Sequence, residues 1–175
     1  MPTTLPLITN DMASESVRKQ LEDVEKIFGN VPPMMRILAN VPSFIQGFLD
    51  LAGPIFAEQG ASMDLKLLAI LRTAEINSCN YCRGYYAGMA EQMGFVGEKR
   101  EAVNTGDVSS KLFNEKEAIV MQLAGEMTQD IRATPATVEK AKAILGLEGT
   151  LEIMMVVGVL NLVSRGAGTA GLPVD

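Results

Sequence analysis

The sequence predicts an all-α fold in a single domain, and three observations lead to this prediction. Apolar residues recur at helical spacing, glycine and proline divide the chain into segments of helix length, and no segment shows the alternating pattern of a β-strand. The chain has 175 residues, of which 47% are hydrophobic, and this is enough to bury one core. We therefore expect one domain over residues 1–175.

The first third of the chain predicts three helices. Between Ser14, a suitable N-cap, and Gly29, a suitable stop, the apolar residues on one helical face are Val17, Leu21, Val24 and Phe28. A short helix is expected over 33–39, and a third helix over 42–55 that bends at Pro54.

Two further helices are predicted around the cysteines. Apolar residues are dense over 63–76, as in a helix that is buried on most sides. Asn77 and Ser78 have short polar side chains suited to capping, so we expect the next helix to begin there and to continue through Met93. Both cysteines then fall in its first turn.

The C-terminal part of the chain predicts three more helices. Asn114 and Glu117 have the spacing of a capping box, and Pro135 opens a helix that is expected to end at Gly146. The last helix is predicted over 151–165, and the glycine-rich tail after it is not expected to continue as regular helix.

Composition and charge argue against several classes of function. The net charge is −6 and the 15 basic residues are scattered, so no nucleic-acid partner is expected. Two cysteines and no histidine fall short of the four ligands of a structural zinc site, so neither a metal nor another cofactor is predicted. Residues 1–8 lack the pattern of a secretory signal, and the apolar stretch over 151–163 is too short to span a membrane, so we expect a cytoplasmic protein.

The strongest chemical signal is the pair formed by Cys79 and Cys82. Residues three apart on a helix share a face, so the two thiols can close a short disulfide. The helix N-terminus and the adjacent Arg83 favour the thiolate, which is the reactive form. Two buried, inert thiols remain an alternative, whereas a thioredoxin fold is not indicated because no strand precedes the pair.

Residues 67–82 resemble the alkylhydroperoxidase D (AhpD)-like branch of the carboxymuconolactone decarboxylase superfamily. The resemblance extends to 28–33, 114–117 and 159–165, and so covers nearly the whole chain. It implies an AhpD-like helical bundle, with the CxxC core at about 63–94. It also implies a homotrimer or homohexamer in which the cysteine pair lies beside a subunit interface.

The resemblance assigns Cys82 to attack a peroxide and Cys79 to resolve the oxidised product. In active peroxidases of this family a glutamate and a histidine relay protons around the thiols, and Leu67 and Tyr86 occupy those positions here. Leu67 cannot carry a proton, and tyrosine, with an ordinary pKa of about 10, is a poor base near neutral pH. The relay of the family is therefore not carried over.

Other side chains are candidates to replace the relay. Tyr86 would face the thiols on a continuous helix and could act as a donor or positioning group. Glu75, four residues before Cys79, and Asp64, in the preceding helix, are candidates for proton transfer, but the favoured interpretation of both is an ordinary polar residue at a helix end.

We predict a CxxC-dependent thiol oxidoreductase that resembles alkylhydroperoxidase and reduces hydroperoxides, with weak or altered activity because the relay is replaced. It would require a reductant that the sequence does not identify. One alternative is a lyase or isomerase of the carboxymuconolactone decarboxylase type that acts on a small carboxylated molecule. The other is a non-catalytic helical oligomer.

Overall fold

The computed structural model describes residues 3–109 and 111–174, and within them it contains nine α-helices and no β-strand. The prediction of an all-α fold is confirmed. Met1 and Pro2, which were part of the prediction about the N-terminus, lie outside the described residues. The helices are α1 (Glu15–Phe28), α2 (Pro33–Leu38), α3 (Pro42–Phe56), α4 (Met63–Ile76), α5 (Asn80–Tyr85), α6 (Ala87–Gln92), α7 (Gly97–Thr105), α8 (Glu115–Gln129) and α9 (Pro135–Ala170).

The chain divides into two compact units. The first contains Met1–Pro54 and Gly166–Pro173, and the second contains Ile55–Arg165 and Val174–Asp175. The cysteine pair belongs to the second unit. A single domain over residues 1–175 stays a prediction.

The first unit is built around α1, as its sequence pattern predicts. The Ser14 hydroxyl accepts a hydrogen bond from the Val17 N–H at 3.4 Å, and Gly29 ends the helix in the left-handed region with φ 75°. This geometry favours glycine because a Cβ would be strained there. The buried apolar cluster of this unit consists of Ala13, Val17, Leu21, Val24, Met35, Ala39 and Ile45.

The second unit has α4 at its centre, where it packs against α5, α7 and α8. Every residue from Leu65 to Ala74 is buried, which confirms the prediction of a helix enclosed on most sides. The predicted capping box at the start of α8 is also present. The Asn114 side chain accepts the Glu117 N–H at 3.0 Å, while the Glu117 carboxylate accepts the Asn114 N–H at 2.9 Å.

The single helix predicted over 77–93 is wrong in its start and its continuity. Asn77 ends α4 instead of opening the next helix, and Ser78 adopts a left-handed conformation with φ 49°. Cys79 is the N-cap of α5, and α5 and α6 are separated at Tyr86. The short polar residues that suggested a helix start are therefore used to reverse the chain after α4.

Helix α7 was not predicted, because its sequence has little apolar periodicity and buries only a small face. It is fixed at its C-terminal end by the buried Arg72, whose Nη1 donates to the carbonyls of Val103 at 3.1 Å and Asn104 at 2.8 Å. Gly106 follows with φ 78° and lies directly against the Arg72 guanidinium. A contact from another helix, invisible in local sequence, stabilises this element.

The range of α9 contains the two helices that were predicted separately, and they meet at a kink where Gly146 has non-helical dihedral angles. The predicted end at Gly146 survives as an interruption with φ 76° and ψ 171°, but helix resumes before residue 151. The glycine-rich tail also remains helical to Ala170, so that expectation is wrong. Ala167 and Ala170 are buried and Gly166 lies in close contact with Met34, so packing outweighs the low helix propensity of glycine.

By length and composition alone α9 could cross a membrane, since its most apolar 18-residue window has a mean hydropathy of 1.9. Within the protein, 39% of that window is buried, including Ile153, Val156 and Val157. Glu152, in the same part of α9, accepts hydrogen bonds from the amides of Gly60 and Ala61. These contacts join this part of α9 to the loop ahead of α4.

Candidate active site

The turn between α4 and α5 places both cysteines at the start of a short helix. The Cys79 N–H donates to the Ala74 carbonyl at 3.0 Å and the Asn77 N–H to the Thr73 carbonyl at 3.0 Å. With Ser78 left-handed between them, these bonds fix the direction in which the chain leaves α4. The pair therefore lies at the start of α5, with Cys79 as its N-cap and Cys82 in its first turn.

The two cysteines form a disulfide bond, with their Cα atoms 5.3 Å apart. The Cys82 N–H donates to Cys79 Sγ at 3.2 Å, so a backbone hydrogen bond supports the sulfur of the N-cap residue. Both residues are buried, with exposed fractions of 6% for Cys79 and 1% for Cys82. Access of a reagent to either sulfur is therefore restricted.

An ion pair joins two residues that lie on either side of the cysteine pair in the sequence. Arg83 Nη2 donates to Glu75 Oε1 at 2.6 Å and to the Glu75 carbonyl at 3.2 Å, and Arg83 Nη1 donates to Asn80 Oδ1 at 3.1 Å. The guanidinium therefore links the last turn of α4 to the first turn of α5. The Glu75 carboxylate is engaged by a permanent cation, and its predicted proton-transfer role stays a prediction.

A polar cluster on α9 contacts the same turn. Asn161 Oδ1 accepts hydrogen bonds from Asn77 Nδ2 at 3.0 Å and from Arg165 Nη1 at 2.5 Å. Asn161 Nδ2 donates to Thr128 Oγ1 at 3.3 Å and to the Val157 carbonyl at 3.0 Å. One asparagine therefore joins α8 and α9 to the turn that precedes the cysteines.

Ser164, one turn further along α9, contacts the disulfide directly. Its Oγ lies 3.5 Å from Cys82 Sγ, and the residue is buried. Neither Ser164 nor Asn161 is among the site residues predicted from the sequence. The available signal was the presence of polar residues within the most apolar segment of the chain, together with the resemblance over 159–165.

All three tyrosines of the protein lie within or next to α5. The rings of Tyr81 and Tyr85 stack with centroids 6.0 Å apart, and Tyr85 meets Tyr86 edge to face at 5.0 Å. Burial raises the pKa of Tyr86, and the neighbouring Tyr85 and Tyr81 raise it further. Tyr86 lies at the break between α5 and α6, so the continuous helix assumed for its predicted position is absent, and its role stays a prediction.

The other candidate positions for the relay lie far from the sulfurs along the chain. Leu67 is fully buried in α4. Asp64 is exposed in the first turn of the same helix, whereas the cysteines follow its last turn. At about 1.5 Å per residue, the length of α4 separates Asp64 from the start of the cysteine turn.

Within residues 3–109 and 111–174, no group of three or more histidine, cysteine, aspartate or glutamate side chains could hold a metal ion. The site is therefore described by its two sulfurs, the Glu75–Arg83 ion pair and the polar residues of α9.

Together, the fold and the site define an all-helical structure with a disulfide-forming CxxC pair. No protein-family model and no curated protein matches the sequence. Solved structures do match. An uncharacterised peroxidase-related protein from Ralstonia eutropha JMP134, described as an AhpD core, is 17% identical with a TM-score of 0.79 over 100% of this chain and 93% of its own.

Two other matches have similar coverage. An uncharacterised peroxidase-related protein from Silicibacter sp. TM1040 is 18% identical with a TM-score of 0.80, over 99% of this chain and 92% of its own. The debrominase Bmp8, in a cysteine-to-alanine variant bound to 2,3,4-tribromopyrrole, is 15% identical with a TM-score of 0.82, over 100% and 93%. The chain therefore has the AhpD-like fold, a fold found in peroxidase-related proteins and in a debrominase.

Proposed function

We propose that this protein is a CxxC-dependent thiol oxidoreductase that reduces hydroperoxides. The observation that carries the proposal is the disulfide between Cys79 and Cys82, which lies at the start of α5 with the Cys82 N–H donating to Cys79 Sγ. A pair held in this geometry can store two electrons as two thiols and release them on closing the bond. The AhpD-like fold favours a peroxide as the oxidant.

In the proposed cycle the Cys82 thiolate attacks one oxygen of a hydroperoxide ROOH, and the O–O bond breaks. Cys82 becomes a sulfenic acid, and the leaving alkoxide takes up a proton to become the alcohol ROH. The Cys79 thiolate then attacks the Cys82 sulfur, forming the disulfide and releasing water after protonation. An external dithiol returns the pair to its reduced form and is itself oxidised to a disulfide.

The surroundings of the pair indicate that this cycle is slow or altered compared with that of active peroxidases. Glu75 is paired with Arg83, and the raised pKa of Tyr86 keeps its phenol protonated near neutral pH. We propose that Tyr86 contributes as a neutral hydrogen-bond donor and Glu75 through its hold on Arg83. Neither residue then replaces the base of the family's relay.

Counting free thiols during oxidation tests the proposal. The protein is fully reduced, freed of reductant and mixed with a stoichiometric organic hydroperoxide, and thiols and alcohol product are measured over time. Wild type should lose two thiols per chain and form one alcohol, whereas Cys82→Ser should react far more slowly. The matched variant Cys79→Ser should still form one alcohol but accumulate a sulfenic acid. Equal thiol loss in wild type and Cys82→Ser would reject the proposal.

The other partners of the proposed reaction follow from its chemistry. We propose a cytoplasmic location, because a reducing compartment supplies the dithiol needed to reopen the disulfide. We also propose a homotrimer or homohexamer, supported by exposed apolar side chains that recur along α9, namely Leu147, Leu151, Met155 and Leu162. Sedimentation velocity showing a stable monomer at micromolar concentration would reject the oligomer.

The second candidate is a lyase or isomerase of the carboxymuconolactone decarboxylase type. Leu67 and Tyr86 favour it, because they occupy the positions of the missing relay while a helical scaffold is retained. Loss of CO₂ from carboxylated lactones, unchanged in the Cys79→Ser and Cys82→Ser variants, would support it. Cysteine-dependent turnover of a hydroperoxide would instead reject this candidate and the non-catalytic oligomer together.

A further inference from the structure

A buried hydroxyl lies within the apolar part of α9 and contacts a cysteine sulfur. Ser164 is buried in α9, and its Oγ lies 3.5 Å from Cys82 Sγ. A buried hydroxyl without a partner is costly, so its placement against one particular sulfur requires a stabilising interaction. The sulfur is the partner that the structure provides.

The direction of this hydrogen bond follows from the state of the cysteines. A sulfur in a disulfide carries no proton, so Cys82 Sγ can only accept. Ser164 is therefore the donor, and its O–H is already directed at the sulfur before the disulfide opens. When reduction places negative charge on that sulfur, the same contact becomes a charge-assisted hydrogen bond, which is about twice as strong.

We propose that Ser164 is a further catalytic residue, whose hydroxyl donates to the Cys82 sulfur and stabilises its thiolate whenever the disulfide is open. The proposal rests on the thiol chemistry proposed above and assigns to α9 a direct part in it. It also explains how Cys82, at 1% exposure, could hold a charge that burial disfavours.

The two cysteine sulfurs accept hydrogen bonds from different kinds of donor. Cys79 Sγ accepts a backbone N–H from Cys82, and this donor persists in any side-chain variant. Cys82 Sγ receives its hydrogen bond from the side chain of Ser164, which can be removed. Charged groups on the elements that meet at the pair include Arg83 on α5, its partner Glu75 on α4, and Arg165 on α9, and α5 also carries the titratable phenols of Tyr81 and, at its C-terminal end, Tyr86. They are unchanged by substitution at Ser164.

The test measures the pKa of the Cys82 thiol in the Cys79→Ser background, where Cys82 is the single thiol. Ultraviolet absorbance of the thiolate is followed as a function of pH, because this readout does not depend on access of a reagent to a buried sulfur. Ser164→Ala should raise the pKa of Cys82 by about one unit, which corresponds to about 1.4 kcal/mol. Ser164→Thr, which keeps a hydroxyl, should restore most of the shift.

Two controls separate this effect from a general loss of packing. Thr150→Val removes another buried hydroxyl from α9, which donates to the Gly146 carbonyl at 2.7 Å, and should leave the Cys82 pKa unchanged. In the Cys82→Ser background, Ser164→Ala should leave the pKa of Cys79 unchanged. An unaltered Cys82 pKa in Ser164→Ala, or an equal shift for Cys79 or for Thr150→Val, would overturn the proposal.

Failure of the proposed role of Ser164 can be told apart from failure of the proposed peroxidase function. A Cys82 pKa that depends on Ser164, in a protein that does not consume hydroperoxide, would support the role of Ser164 and reject the peroxidase. Hydroperoxide consumption with a Cys82 pKa independent of Ser164 would reject the role of Ser164 alone.

Discussion

The two ends of helix α4 both carry an ion pair, but the two pairs have different surroundings. At the N-terminal end, Lys66 is fully buried, and its Nζ donates to Glu152 Oε2 at 2.7 Å and to the Ala57 carbonyl at 2.5 Å. At the C-terminal end, the side chains of Arg83 and Glu75 are 31% and 23% exposed. The first pair is enclosed, and the second is accessible to solvent.

The two ion pairs also differ in how completely their polar atoms are hydrogen-bonded. Besides Lys66, the Glu152 carboxylate accepts the amides of Gly60 at 2.7 Å and Ala61 at 3.0 Å, which fixes the loop ahead of α4. Arg83 Nε, by contrast, is buried and has no hydrogen-bond acceptor. The comparison indicates that the N-terminal end of α4 stabilises the fold, while the cysteine end retains polar groups that are not fully satisfied, as is common where chemistry takes place.

The largest effect is expected from breaking the enclosed pair. Lys66→Met leaves the Glu152 carboxylate without its cation, and should lower the free energy of unfolding by about 3–5 kcal/mol. Urea denaturation measures this loss. The double variant Lys66→Met/Glu152→Gln should recover much of it, because the unpaired charge is then removed as well. A single variant that loses less than about 1 kcal/mol would show that the pair is unimportant for stability.

Acid should weaken the same end of α4. Burial alone would raise the pKa of Glu152, but hydrogen bonds from Lys66 and from the Gly60 and Ala61 amides lower it below its ordinary value of 4.5. A carboxyl whose folded pKa is depressed stabilises the protein above its unfolded pKa and loses that contribution as pH falls through the folded pKa. The stability gap between wild type and Glu152→Gln should therefore narrow below pH 4.5.

The matched control for the acid experiment is Glu139→Gln. Glu139 also lies in α9, before the kink at Gly146, and forms an exposed ion pair with Lys142 at 2.8 Å. An exposed pair of this kind contributes little, so its stability gap should be small at every pH. A gap for Glu152→Gln that stays constant or widens on acidification would contradict the assignment.

The difference between the two ends of α4 also marks what the sequence could predict. The enclosure of α4 followed from its dense apolar residues, and the cysteine pair from its spacing. The Lys66–Glu152 and Cys82–Ser164 contacts join residues more than eighty positions apart, and helical periodicity contains no information about such pairings. These two contacts become visible only in the folded structure, where α9 meets α4 and α5.

Local signals failed where they were ambiguous. Asn77 and Ser78 are as suitable for ending a helix as for starting one, and the structure uses them to end α4. The glycine-rich tail was judged by intrinsic propensity, whereas burial of Ala167 and Ala170 determined its conformation. Tertiary packing outweighed local preference in the tail.

Breaking the ion pair at the cysteine end of α4 should affect stability less than breaking the Lys66–Glu152 pair, but it should slow the reaction of the thiols. Arg83→Met should lower the free energy of unfolding by about 1 kcal/mol or less, because the pair is partly solvated. It should nevertheless slow oxidation of the thiols by hydroperoxide, since the link between α4 and α5 and an adjacent positive charge are both lost. Stopped-flow thiol oxidation and urea denaturation measure the two effects.

Glu75→Gln is the matched partner variant for Arg83→Met. It keeps an acceptor for Arg83 and keeps the cation next to Cys82, so it should slow oxidation less than Arg83→Met does. If Glu75→Gln is the slower of the two, Glu75 has a proton-transfer role that its pairing with Arg83 does not explain.

The smallest effect is expected for Tyr86→Phe, which removes a phenol but keeps the ring against Tyr85. Because burial raises the pKa of Tyr86, its hydroxyl remains protonated near neutral pH and can donate a hydrogen bond but cannot act as a base. Loss of the proposed neutral hydrogen bond, worth about 1 kcal/mol, should slow thiol oxidation by about fivefold or less and leave the pH profile of the rate unchanged. Tyr85→Phe, at an exposed ring, is the control and should have no effect. A pH profile that changes in Tyr86→Phe alone would show that the phenol exchanges a proton during the reaction, and the cysteine end of α4 would then contain a relay after all.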